Sequence, residues 1–249
     1  MIGEFERARL AGLLHLENRQ GIGTLRERSL HAVLKYWADP DESHHEIPLA
    51  GCVADIFDGE RVVEIQTRGF SALRPKLEKL LPVYPVTVIH PLAWHKTLTW
   101  VDPASGEAAK PRKSPKTGRF WDAAGELGRI RNVVGHPNLT LVLLLMDMEE
   151  YRLADGWSLD KKRGSHRLER FPVAPGPMAV LHRPEDYAVL LPPGLPSPFT
   201  TTDVQKIGRL TRRPAGNVVN ILYTLGVIQR TGKKGNAFLY QMGENRAEA

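Results

Sequence analysis

The sequence GCVADIFDGERVVEIQT, residues 51–67, is the most informative part of this chain for its fold. It holds two β-prone runs around the turn-forming segment 58–60, and this pattern predicts a β-hairpin. Side chains on a strand point alternately to the two faces of the sheet. A turn at Gly59-Glu60 therefore places Asp55 directly across from Glu64. A turn one residue earlier keeps the same face, whereas a three-residue loop can break the arrangement.

Asp55 and Glu64 form a candidate metal site. Like charges across a strand pair are destabilising, so a bound cation, a shared proton or a nearby Arg or Lys should offset their repulsion. Mg²⁺ or Mn²⁺ suits two carboxylates, with water and phosphate oxygens completing the coordination, and such an ion supports phosphodiester cleavage. The alternative is an edge hairpin whose carboxylates face water.

The elements around the hairpin extend the pattern. Helical spacing predicts amphipathic helices over 25–37 and 69–81, and a β-prone run follows at 83–89. In this order the chain resembles the PD-(D/E)XK nuclease superfamily, in which a helix carrying Glu precedes a hairpin carrying Asp and then Glu-x-Lys. The Glu-Ile-Gln version at 64–66 is similar to the CoiA competence-protein branch and to resolvase-like families. The resemblance covers roughly residues 25–90.

The resemblance implies a catalytic set. Its members are Glu27, Asp55, Glu64 and Gln66, of which Glu27, Asp55 and Glu64 would hold Mg²⁺ or Mn²⁺. Gln66 stands where the common pattern has Lys, and it would position water or phosphate. Lys76 or Arg68 can supply the missing charge from the following segment. Glu27 also suits a first-turn helix carboxylate, which the helix dipole favours.

The middle of the chain is expected to enlarge the sheet. Strand-like runs occur at 97–101, 139–146, 178–181 and 187–191, and a helix-like run occurs at 121–134. A Pro-rich segment over 191–199 predicts a stiff, exposed connector and a domain boundary.

The last fifty residues resemble a winged helix-turn-helix domain. Two helix-like runs are followed by two short strands around the basic turn 231–236. The resemblance implies that the second helix enters the DNA major groove while the hairpin tracks the backbone. The candidate DNA contacts here are Arg212, Arg213, Asn217, Arg230, Lys233 and Lys234. The alternative is the same fold used for protein contacts.

Charge supports a nucleic-acid partner. The net charge is +6, and residues 200–249 hold eight Lys or Arg against three Asp or Glu. A second basic stretch over 110–119 is interrupted by prolines and a glycine, so it reads either as a solvated loop or as a loop whose Lys113 and Lys116 contact phosphates.

Composition limits the class of protein. The hydrophobic fraction of 42% and charged fraction of 25% are typical of a globular chain. Cys52 is the only cysteine, which excludes an internal disulfide and Cys-rich metal sites and favours a reducing cytoplasm. No apolar run approaches the ~18 residues of a membrane helix, and the N-terminus does not resemble a secretory signal. We therefore expect a cytoplasmic protein with no membrane partner.

Together these observations predict an α/β (α+β) protein with a restriction-endonuclease-like mixed sheet flanked by helices. The predicted units are a nuclease-like domain over 1–190 with a basic loop insertion, a linker over 191–199 and a winged-helix domain over 200–249. The predicted function is a metal-dependent DNA endonuclease in repair, recombination or defence. A homodimer suits the cutting of two strands. The alternatives are a non-catalytic DNA-binding regulator and a protein-interaction module.

Overall fold

The computed structural model describes residues 2–18, 29–157 and 163–243. These residues form a mixed α/β architecture with a seven-stranded sheet and a separate two-stranded sheet, which confirms the predicted α/β class. The helices are α1 (Ile2–Asn18), α2 (Ser29–Ala38), α3 (Phe70–Leu80), α4 (Ala124–Leu127), α5 (Thr201–Ile207) and α6 (Arg212–Thr224). The strands are β1 (His45–Leu49), β2 (Cys52–Phe57), β3 (Val62–Ile65), β4 (Val86–Val101), β5 (Arg112–Lys113), β6 (Leu139–Trp157), β7 (Arg163–Leu181), β8 (Ile228–Lys234) and β9 (Ala237–Met242).

The large sheet combines parallel and antiparallel pairs. Its order is β1-β2-β3-β4-β6-β7, and β5 pairs with the outer part of β4. Strands β3, β4 and β6 run parallel, while β1, β2 and β7 pair antiparallel with their neighbours. All four residues of β3 are buried, as expected for a parallel strand covered on both faces. The predicted hairpin is the β2–β3 pair.

Two apolar layers hold the helices on the sheet. Leu30, Val33 and Leu34 repeat at helical spacing on α2 and pack with Val63 and other residues on one face. A larger cluster on the other face joins the buried sides of α3 and α4 to the sheet. Helices therefore flank the hairpin on both sides, with α2 and α3 closest to its polar residues.

The predicted order of elements near the C-terminus is present as α5, α6 and the β8–β9 hairpin. Helix α5 begins at a capping box, in which Asp203 N donates to Thr200 Oγ1 and Thr200 N donates to Asp203 Oδ2. Val218 of α6 belongs to the same buried cluster as α3 and α4. The connector over 191–199 is not exposed throughout, because Pro192 and Phe199 are buried. The division into domains remains a prediction.

Several local predictions for the middle of the chain need correction. The strand predicted over 83–89 begins only at Val86 and continues through 97–101 as one long strand, β4, and the runs 139–146 and 178–181 are parts of the 19-residue strands β6 and β7. The strand prediction at 187–191 is wrong, since Pro184–Leu190 forms a 3₁₀ helix. The helix prediction at 121–134 is wrong in extent, since only the four-residue α4 is α-helical there. Within the described ranges, no helix is long and apolar enough to cross a membrane.

Candidate functional site

The register of the β2–β3 hairpin brings Asp55 and Glu64 together. Phe57 pairs with Val62 and Ile56 with Val63, which is the register predicted for a turn at Gly59-Glu60. Asp58 closes the connection, because its Oδ1 accepts hydrogen bonds from the backbone N–H groups of residues 60 and 61. These bonds lower the pKa of Asp58 to about 2. A charged Asx-type turn thus fixes the pairing of the two strands.

Asp55 is held by three contacts. Its Oδ2 accepts a hydrogen bond from Ile65 N at 2.8 Å and lies 3.2 Å from Nε2 of His31 on α2. Its backbone N–H donates to Glu64 Oε1 at 3.3 Å. Burial alone would raise the pKa of Asp55, but the His31 and Ile65 hydrogen bonds and the charge of Lys76 outweigh it and hold the pKa below 3.8. Asp55 is therefore the ionised member of the pair.

Glu64 is more deeply enclosed, with 2% of its surface exposed. Nζ of Lys76, on α3, donates to Glu64 Oε2 at 2.5 Å. Burial and the neighbouring charge of Asp55 raise the pKa of Glu64 to about 7, although Lys76 opposes that rise. The two carboxylates therefore differ in charge state near neutral pH, as expected for close acidic groups in a poorly solvated site.

Lys76, rather than Arg68, places a cation on the acidic pair. Gln66 turns its side chain elsewhere, since its Nε2 donates to the backbone oxygen of Arg68. Among the described residues, the Gln66 side chain makes no hydrogen bond to Asp55 or Glu64. The side chain of Arg68 instead lines a cavity beyond the end of β3. The structure brings together Asp55, Glu64 and Lys76 and leaves Gln66 outside this group.

The helix that precedes the hairpin contributes His31. Glu27, the residue that the sequence assigned to this role, lies outside the described residues. His31 was not singled out from the sequence, because a lone His on a helix carries no ligand spacing. The available signal was topological: a helix packed beside the hairpin must present some side chain to Asp55.

The pair can supply part of a ligand set for a divalent cation. Within the described residues no group of three or more His, Cys, Asp or Glu is placed to hold a metal ion. Asp55 Oδ1 has no hydrogen-bond partner in that part of the chain, and carboxylate oxygens are the ligands that Mg²⁺ prefers. Mg²⁺ often takes only one or two protein carboxylates. Asp55 Oδ1 is thus open to such an ion, whereas both Glu64 oxygens accept hydrogen bonds, from Asp55 N and from Lys76 Nζ.

The C-terminal elements display basic and aromatic side chains. The guanidinium of Arg230 lies 4.4 Å from the ring centre of Tyr223 and 4.0 Å from that of Phe238. Lys233 Nζ lies 4.9 Å from the same Phe238 ring, and Lys234 is exposed beside it. The β8–β9 hairpin thus presents three cations, two of which lie over aromatic rings.

The predicted contacts on α6 divide into two groups. Arg212 and Arg213 are exposed in its first turn. The amide of Asn217 instead donates to the backbone oxygen of Ala124 at 2.9 Å and packs against Gly128. Asn217 is therefore occupied in holding α6 on α4, while the arginines are accessible.

The basic loop folds back along β4. Lys113 is exposed on β5, and Lys116 Nζ lies 3.2 Å from Asp122 Oδ1. The end of the loop contacts the C-terminal elements, because Arg119 and Trp121 both donate to the backbone oxygen of Gly208. The loop is thus anchored at both ends, with Lys116 held near the end of β3.

Comparison with known proteins places the chain in a family. The family model described as "Domain of unknown function (DUF8091)" matches residues 28–177, which is more than half of the chain, so the protein belongs to this family. The matched region includes the β2–β3 hairpin, α3, β4, β6 and most of β7. The chain is also 28% identical over 243 residues to an uncharacterized protein of Treponema pallidum (strain Nichols), covering 91% of this chain and 90% of the relative. No solved structure matches the chain significantly.

Proposed function

We propose that this chain is a metal-dependent DNA endonuclease with a restriction-endonuclease-like sheet of the PD-(D/E)XK type. The observation that carries the proposal is the convergence of Asp55, Glu64 and Lys76 on one hairpin and its following helix. Two adjacent carboxylates and an ammonium group are a minimal set for hydrolysing a phosphodiester with a divalent ion. Roles in repair, recombination or defence and a cytoplasmic location belong to the same proposal.

Each residue has a definite task in this mechanism. Asp55 and Glu64 would hold Mg²⁺ or Mn²⁺. The ion, when bound, would lower the pKa of a coordinated water and stabilise the charge that develops on the phosphate. Lys76 keeps Glu64 oriented and supplies positive charge beside the scissile group. His31 positions Asp55 through its hydrogen bond to Oδ2.

DNA binding would use the C-terminal elements as a winged helix. Arg212 and Arg213 would approach the groove, while Arg230, Lys233 and Lys234 would contact phosphates, which makes affinity fall with salt. Stacking on Tyr223 and Phe238 restricts the Arg230 side chain before DNA arrives. This lowers the entropy lost on binding.

A second candidate is a non-catalytic DNA-binding regulator that retains the nuclease-like domain as a binding or dimerisation platform. The orientation of Gln66 favours it, because the residue at the usual Lys position contacts the backbone rather than the acidic pair. In that case the hairpin carboxylates would have a structural role only.

Cleavage assays separate the two candidates. Supercoiled, linear and branched DNA would be incubated with the full chain in Mg²⁺ or Mn²⁺, with EDTA controls. The test variants are Asp55→Asn, Glu64→Gln and Lys76→Met, and the matched control is Glu78→Gln, an exposed glutamate on the same helix as Lys76.

We expect EDTA and each test variant to reduce cleavage at least about a hundredfold, since each removes charge from the reacting centre. The Glu78 control should cleave normally. Salt-sensitive duplex binding without cleavage on every substrate would favour the regulator. Cleavage that persists in the Asp55 and Glu64 variants would rule out this site.

A further inference from the structure

A second polar site lies beyond the carboxyl end of β3. It is a cavity of about 320 Å³, a size within the lower range of small-ligand pockets. Neither Asp55 nor Glu64 lines it. Five basic side chains line it, from four separate parts of the chain: Arg68, Lys96, Lys116, Arg167 and Arg170. The acidic lining residues are Asp122 and Glu126.

A buried carboxylate fixes part of this basic wall. Glu150 on β6 is fully buried, and its Oε2 accepts a hydrogen bond from Arg170 Nε at 2.7 Å, with Lys96 Nζ 3.7 Å away. Its Oε1 accepts from Arg152 Nε. Burial opposes ionisation, but Arg170, Lys96 and Arg152 lower the pKa of Glu150 to about 2. The ionised carboxylate thus holds two of the lining cations in place.

A tight backbone contact fixes Lys116. The register of β4 against β6 shifts between Ala93 and Lys96, which marks an irregularity in the cavity wall. Gly118 N donates to Trp94 O at 2.8 Å, and a Cβ atom at Gly118 would lie 2.0 Å from Ala93 O. Only glycine allows the loop to approach β4 this closely. The loop therefore carries Lys116 to the rim of the cavity.

The remaining wall is suited to an organic group. His90 is 4% exposed, and its Nδ1 donates to Gln66 O at 2.6 Å. Burial lowers the pKa of His90, so the ring is neutral and its Nε2 is a hydrogen-bond acceptor. Pro91, Leu92 and Ala93 supply an adjoining apolar surface. A hydroxylated, partly apolar moiety can contact this side.

We propose that this cavity binds a phosphate monoester, with the phosphate among Arg68, Lys96, Lys116 and Arg170. Arg68, Lys96, Lys116 and Arg170, together with Arg152, which shares the Glu150 carboxylate, outnumber Asp122, Glu126 and Glu150 by two, so a dianion balances the site. Guanidinium groups bind phosphate with two parallel hydrogen bonds, and lysines add point charges. The monoester belongs either to a small molecule or to the phosphorylated end of a nucleic-acid strand. This site does not depend on the proposed cleavage by Asp55 and Glu64.

Calorimetric titration of the full chain in EDTA tests the proposal. The probes are adenosine 5′-monophosphate, adenosine, inorganic phosphate, and a short oligonucleotide with or without a 5′-phosphate. The test variants are Arg68→Gln and Lys116→Gln, and the control is Lys79→Gln, an exposed lysine on α3 outside the cavity. Thermal unfolding of each variant verifies that it folds.

We expect a phosphorylated probe to bind at least about tenfold more tightly than its unphosphorylated counterpart. Each test variant should weaken that binding about tenfold through loss of a charge-assisted hydrogen bond, and the control should not. Binding of the monophosphate assigns a small-molecule source, whereas binding of the phosphorylated oligonucleotide alone assigns a strand end. Failure of every phosphorylated probe, or unchanged affinity in both folded test variants, would overturn the proposal. DNA cleavage is measured separately in Mg²⁺, so failure of the phosphate-binding proposal is distinguished from failure of the proposed nuclease activity.

Discussion

The titration of Glu64 gives a direct test of the hairpin geometry. The perturbation is Glu64→Gln, which keeps the shape of the side chain and mimics its protonated form. The pKa of Glu64 is raised from 4.5 to about 7 by burial and by Asp55. Between these values the folded protein holds a proton that the unfolded chain releases, so the stability of the wild type falls as pH rises. The variant lacks the titrating carboxyl group, so its stability should not fall with pH for this reason.

The size of the expected stability difference follows from the size of the pKa shift of Glu64. At roughly 1.4 kcal/mol for each pKa unit, the rise in the pKa of Glu64 corresponds to about 3 kcal/mol. The wild type and the variant should therefore have similar free energies of unfolding near pH 5. Near pH 8 the variant should be more stable by up to about 3 kcal/mol. Asp55 titrates at lower pH and does not enter this window, because its pKa is held below 3.8.

The assay is urea unfolding in EDTA at half-unit steps between pH 5 and pH 8. Glu78→Gln is the control, because Glu78 is exposed and its pKa is lowered by Arg74 and Asn132, so it is ionised throughout this window. The difference in free energy of unfolding between Glu78→Gln and the wild type should be constant from pH 5 to pH 8. Parallel stability profiles for the wild type and the Glu64 variant would refute the enclosed, paired environment described for Glu64. Added Mg²⁺ at pH 8 should stabilise the wild type more than the Glu64 variant.

Three further predictions concern other parts of the molecule. Gly118→Ala should lower the free energy of unfolding by about 2 kcal/mol, because the new methyl group meets a backbone oxygen of β4. Gly125 has open space around it, so Gly125→Ala should not lower this free energy, and urea unfolding measures both variants. Glu150→Gln should lower the free energy of unfolding by about 3 kcal/mol at pH 7, and this difference should disappear as the pH falls from 4.5 through about 2. Glu149→Gln, at the exposed neighbouring residue, should leave the free energy of unfolding nearly unchanged in the same urea measurement. If the C-terminal elements bind duplex DNA, Lys233→Gln should reduce the slope of log affinity against log salt by about 1, as measured by fluorescence anisotropy.

The hairpin register was predictable because its determinants are local. Asp58 and Gly59 specify the turn, and the period of two specifies the faces, so the pairing of Asp55 with Glu64 follows without distant contacts. The C-terminal elements were predictable for the same reason, since caps, helical stripes and a Gly-rich turn lie within fifty residues.

The long strands were not predictable in this way. The β6–β7 ladder carries several register shifts, and each shift resets the alternation of buried and exposed residues. Pro172, Pro175 and Pro177 lie on β7, an edge strand, where a missing N–H is tolerated. The sequence therefore reads as interrupted short runs although the strand is 19 residues long.

The two site residues that the sequence left open or did not indicate, Lys76 and His31, depend on contacts between distant elements. Lys76 reaches Glu64 from 12 residues away, and His31 reaches Asp55 from 24 residues away. No spacing rule fixes which side chain of a packed helix faces a given strand. Lys76 was one of two candidates for the missing cation, and only the packing of α3 on the sheet separates it from Arg68.

Gln66 follows the acidic pair along the chain and contacts two residues of the basic cavity. Its backbone oxygen accepts the His90 Nδ1 hydrogen bond, and its side chain holds the backbone of Arg68. Both partners line the basic cavity. A lysine at position 66 could also donate to the backbone oxygen of Arg68, but it would add a sixth cation near that wall. In the proposed nuclease, Lys76 already places a cation on Glu64, so Gln66 is free to contact the basic cavity beyond the end of β3.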